Sequence, residues 1–161
     1  MAGAVLFIAV YLTLNALLVW HDVRSGLLPD RFTCPLLWAG LLYCSWFNPM
    51  LLQDKVLGAV AGYAGFAILY WGYRLLRGQE GLGYGDVKFL AALGAWHGWE
   101  ALPILVFSAA LFALCLTCFR SLKSRSTQAI KNPLPFGPFL AGAGLITGYQ
   151  TSFMSMVNFQ L

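Results

Sequence analysis

Two carboxylates stand at the ends of apolar runs. Asp22 closes one, in "LLVWHDVRSGLLPD", and Asp86 opens another, in "QEGLGYGDVKFLAALGAW". Two carboxylates that share a pocket do not both ionise easily, so one keeps a proton near neutral pH. That state suits the activation of water: the ionised group takes a proton from the water while the neutral one polarises a carbonyl. Four more acidic residues complete the set: Asp30 and Glu80 nearby, and Asp54 and Glu100 in other linkers, where solvation accounts for them. A plainer reading stands beside the catalytic one. Asp22 would pair with Arg24 or His21, and Asp86 would cap a helix, which is worth about 1 kcal/mol. Residue pattern by itself leaves both open.

The elements that must hold these groups follow from composition. Of 161 residues, 60% are hydrophobic and 10% charged, with a mean hydropathy of +0.71. Water-soluble domains carry roughly 25% charged residues, so this chain cannot cover its own surface in water. Its apolar blocks match the roughly 20 residues a helix needs to cross a bilayer. Six spans are expected, at 3–20, 33–52, 56–76, 86–97, 101–119 and 134–157, forming an all-α membrane bundle and one domain over 1–161. Met1–Trp20 has no positive n-region or small-residue cleavage site and reads as a retained first span. The net charge of +4 comes without a basic patch interleaved with aromatics, so no nucleic-acid partner is expected.

Orientation comes from the ten Lys and Arg residues. Arg24 and Arg31 follow span one; Arg74, Arg77 and Lys88 surround the junction of spans three and four; Arg120, Lys123, Arg125 and Lys131 follow span five. Only Lys55 falls on the other side. This bias predicts an outside N-terminus and cytoplasmic linkers one, three and five. Span four is short: Val87 to Trp96 covers about 15 Å as a helix, half the hydrocarbon thickness. It closes the charge pattern only if Gly81 to Asp86 lies at membrane depth, where irregular backbone is tolerated when buried in protein or lining a wet cavity. Asp22 and Asp86 then share one membrane face, and ionisable residues at that depth are usually functional.

Other features have structural readings. Thr33 and Pro35 fit the N-cap and first turn of span two. Gly58, Gly62 and Gly65 have the spacing of close helix packing. His97, between Trp96 and Trp99, fits an interfacial aromatic belt, and His21 a snorkelling imidazole. Cys34, Cys44, Cys115 and Cys118 lack the ligand set of a zinc site and read as buried, reduced thiols, so neither metal nor cofactor is expected. The glycine run lacks the frame of a phosphate loop.

"GLGYGDVKFLAALGAW" resembles the G-x-G-D segment of type IV prepilin peptidases, bacterial intramembrane aspartyl proteases; presenilin-type proteases share that short motif. "HDVRSGLLPDRFTCPLLWAGLL" is similar to the family's first-aspartate region, and "LPFGPFLAGAG" to its P-F-G-P-F stretch. The three blocks occur in order. The resemblance implies catalytic aspartates at Asp22 and Asp86, with Asp30 the rival for the first position. It implies prepilin or pseudopilin substrates, whose basic leader is removed at the cytoplasmic face of the inner membrane, in type IV pilus or type II secretion systems. Gly83 and Gly85 would let backbone approach substrate, while Lys88 and Glu80 would help position the loop. Many members carry an N-terminal Cys-rich region and also methylate the new pilin N-terminus; this chain begins at span one, which predicts peptidase activity without the methyltransferase segment. The competing expectation is a small proton-coupled transporter or scaffold using the aspartates as a relay.

Overall fold

Within hydrocarbon every backbone N–H and C=O must find its partner inside the chain, which leaves helices as the economical choice for apolar blocks of this length. The computed structural model describes residues 2–78, 81–124 and 135–158. These form six helices: α1 (Ala2–Ser25), α2 (Asp30–Phe47), α3 (Leu52–Arg77), α4 (Tyr84–His97), α5 (Leu102–Ser124) and α6 (Gly137–Asn158). A 3-10 turn, Pro49–Leu51, joins α2 to α3, and no strand occurs among the described residues. Gly3–Ser25, Pro49–Arg77 and Leu102–Arg120 are each long and apolar enough to cross a bilayer. The protein is an integral membrane helix bundle.

Its centre is the shortest helix. α4 has 14 residues, about 21 Å of rise, and nearly every side chain from Asp86 to Ala95 is buried. A helix that is apolar all round belongs inside a bundle, and α4 packs against α2, α3 and α6. Its closest partner is α3. A Cβ on Gly58 would run into the carbonyl of Gly94, and one on Gly94 into that of Gly58. One turn further on, a Cβ on Gly62 would come within 2.8 Å of the Leu90 carbonyl. Small residues thus bring two backbones together, the usual basis of helix association in lipid. Gly65 does not take part: its missing side chain faces open space.

Several local expectations change. α2 starts at Asp30 with Pro29 as N-cap, so Thr33 does not cap it and Pro35 lies inside the helix. Pro29 supplies the extended backbone that a cap requires, and its carbonyl accepts from the N–H groups of Phe32 and Thr33. The thiols are free, but only Cys44 is buried; Cys34, Cys115 and Cys118 are exposed on the bundle surface, where α2 and α5 show their apolar outer faces. Trp96 and His97 turn inward instead of joining a belt. The Trp96 indole donates to the Leu36 carbonyl at 2.8 Å, and His97 bonds the Tyr11 hydroxyl at 3.2 Å.

Candidate active site

Asp22 sits in the last full turn of α1. The helix closes because Gly26 adopts a left-handed φ of 63° and its N–H donates to the Asp22 carbonyl at 2.8 Å, a common helix ending. Asp86 sits in the first turn of α4. Gly83 is the N-cap, with extended backbone and no side-chain cap bond, and its carbonyl accepts from the Asp86 N–H at 3.0 Å. Asp86 is therefore the third residue of the helix and not its N-cap, and the Gly83 main chain lies against its carboxylate.

Both aspartates are buried, 5% exposed for Asp22 and 7% for Asp86. They lie close enough for the charge of Asp22 to act on Asp86. Asp22 Oδ2 accepts the backbone N–H of Gly137 at 2.8 Å, at the first turn of α6. Asp86 Oδ1 is buried without a hydrogen-bond partner. No protein donor among the described residues reaches it, which leaves that oxygen open to a water or a substrate group. Three helix ends, of α1, α4 and α6, thus converge on two carboxylates that have no cation paired to them among the described residues.

The surrounding residues are now placed. Lys88, one turn into α4, forms a two-pronged ion pair with Asp30 at the start of α2, at 2.8 and 2.7 Å. Asp30 is 59% exposed and committed to that lysine, so it does not share the buried site. His21 faces away from Asp22: its Nδ1 bonds the Leu17 carbonyl, and Arg31 donates to its Nε2. Gly85 has a packing reason, since a Cβ there would meet Leu28 at 2.8 Å in the turn between α1 and α2. A Cβ on Gly83 would come within 3.0 Å of Asp86 Oδ2. Glu80 lies outside the described residues. The Tyr63 and Tyr84 hydroxyls are hydrogen-bonded, tying α3 to the start of α4.

Gly137 is the residue that sequence reasoning left without a role. A Cβ on it would meet Asp22 Oδ2 at 2.6 Å, so only glycine leaves room for the carboxylate against the α6 N-terminus. Its one signal was the Phe-Gly-Pro-Phe run, Phe136 to Phe139.

Comparison with known proteins decides the family. The model of the type IV leader peptidase family matches residues 7–118. The chain belongs to the type IV leader peptidase family. Similar proteins include the leader peptidase HopD of Escherichia coli, 58% identical over 90% of this chain and 93% of its own length. HopD of Salmonella typhimurium is likewise 58% identical, over 91% of this chain and 94% of its own. A prepilin leader peptidase/N-methyltransferase of Burkholderia pseudomallei is 48% identical over 78% of this chain, which spans 40% of that longer protein. No solved structure matches. As a leader peptidase family member the chain is an aspartic-type peptidase, and the transporter or scaffold alternative finds no support among these relatives.

Proposed function

We propose that this leader peptidase acts as an intramembrane aspartyl endopeptidase that removes the basic leader of prepilins or pseudopilins, with Asp22 and Asp86 as its catalytic pair. The observation that carries the assignment is the burial of these two carboxylates at converging helix ends, within electrostatic reach and with one oxygen unpaired. A water between them loses its proton to the ionised carboxylate and attacks the scissile carbonyl. The protonated carboxylate donates to that carbonyl oxygen, so no covalent intermediate forms. The Gly137 N–H holds Asp22 in place, and the Lys88–Asp30 pair fixes the first turns of α4 and α2 against each other. Because main-chain hydrogen bonds shield a helical substrate, the junction between leader and helix unwinds before attack.

The charge bias supports a site at the cytoplasmic face of the bacterial inner membrane. Arg24, Arg31, Arg74 and Arg77 lie in or near the helix ends flanking the pair, whereas Lys55 lies in the first turn of α3. The test is cleavage of a prepilin-type substrate, bearing a basic leader and a hydrophobic helix, by purified protein in lipid vesicles. Wild type should release the leader, and Asp22→Asn and Asp86→Asn should each abolish release while keeping wild-type helicity. Cleavage by either variant at the wild-type rate would refute the pairing.

A further inference from the structure

Lys55 is the one basic residue that the charge bias leaves on the far side, and it lines a cavity of its own. Tyr11 and Asp22 are eleven residues apart on α1, as are His97 and Asp86 on α4, so about 16 Å of helix separates this cavity from the carboxylate pair. The cavity measures about 540 Å³, within the range of small-ligand sites. Its lining comes from α1, α2, α3, α4 and α6 and includes Lys55, Asn48 and the hydrogen-bonded Tyr11–His97 pair. Lys55 stands beside the end of α4, where a Cβ on Gly98 would lie 3.7 Å from its Nζ. The carbonyl end of a helix attracts a cation. Its electrostatic neighbours are the Cys44 thiol and the adjacent Asp54, yet it forms no ion pair among the described residues. An ammonium carries three donors, and beyond the neighbouring Asp54 no carboxylate acts on this half-buried one among the described residues, which leaves donors for an anionic ligand.

The rim says what kind of anion. Ile8 on α1 and Leu145 on α6 line the same cavity, and both are exposed apolar side chains on the outside of a membrane bundle. Lys55 lies near the start of the membrane-crossing segment Pro49–Arg77, the level at which lipid headgroups sit. We propose that this cavity binds a membrane phospholipid, its phosphate on Lys55 with Asn48 and the Tyr11 hydroxyl alongside, and its acyl chain across Ile8 and Leu145. A free phosphate would engage the same lysine but has no use for the apolar rim.

The experiment uses the full chain in bilayers that contain phosphatidylglycerol with a photoactivatable acyl chain. Adducts are mapped by mass spectrometry, with inorganic phosphate as competitor. Adducts on the peptides bearing Ile8 and Leu145 should fall about fivefold in Lys55→Gln, the order expected for one lysine at a lipid surface. Lys55→Arg should restore them, and excess inorganic phosphate should leave them unchanged. Leader cleavage at the opposite end and helicity, both unaltered, certify the fold. Equal labelling of Lys55→Gln and wild type would overturn the proposal, as would loss of labelling to inorganic phosphate, which marks a free-anion site. Should Lys55→Gln fail the fold controls, Ile8→Trp replaces it by filling the rim: reduced labelling supports the site, and unchanged labelling overturns it.

Discussion

The acidic residues at the candidate site separate by what they touch. Asp30 is exposed and holds Lys88; Asp22 and Asp86 are buried and hold no cation among the described residues. An exposed ion pair is worth roughly 0.2–1 kcal/mol, so Asp30→Asn should lower the cleavage rate by no more than about fivefold. Loss of a general acid or base typically costs about 10²–10⁴-fold, and Asp22→Asn and Asp86→Asn should each fall in that range or below detection. Rates from the same vesicle assay decide. An inactive Asp30→Asn beside an active Asp22→Asn would transfer the first catalytic position to Asp30. Gly137 offers a second reading at this scale. Its alanine would intrude on Asp22 Oδ2, and misplacing a reacting group by about 1 Å can cost as much as 100-fold. Gly137→Ala should therefore reduce turnover strongly while the protein remains folded and membrane-inserted, as read by circular dichroism.

At the scale of elements, the packing of α3 on α4 sets where Asp86 stands. Gly58 and Gly94 meet backbone to backbone, while Gly65 faces open space. Overfilling a tight contact costs about 1–3 kcal/mol, so Gly58→Leu and Gly94→Leu should destabilise the bundle by at least that much and Gly65→Leu hardly at all. Unfolding in mixed micelles with rising denaturing detergent measures the difference. Gly58, Gly62 and Gly65 have similar spacing along α3, and the sequence offers nothing that sets Gly65 apart, because the distinction depends on which face α4 occupies. The six apolar blocks were legible by length and hydropathy, as was the shortness of the fourth. The start of α2 was not, since Pro29 offered a cap four residues ahead of Thr33. That Asp22 and Asp86 would meet was legible, because the charge bias put both carboxylates at one membrane face. The inward turn of His97 was not: its partner, Tyr11, lies 86 positions away.

At the scale of the whole molecule, a single assignment of sidedness ties the charge bias to the chemistry. The pair converges where α1 ends and α4 and α6 begin, and a leader peptidase whose substrate leaders are basic needs that end on the side where such leaders are retained. Lys and Arg near short loops are held in the cytoplasm; Arg24 and Arg31 flank the turn after α1 from the two helix ends, while the linker between α4 and α5 carries only Glu100 as a charged residue. These two linkers should therefore lie on opposite faces. Ser25 follows Asp22 by three residues and is exposed, as is Glu100. In a background with the four native cysteines replaced, Ser25→Cys should react with a membrane-impermeant maleimide only in inverted vesicles, and Glu100→Cys only in intact spheroplasts. Reversal of both would put the aspartates outside and separate them from any cytoplasmic leader. Labelling of both from one side would mean that α4 does not cross, and the second carboxylate would then have to reach the first by a fold other than this one.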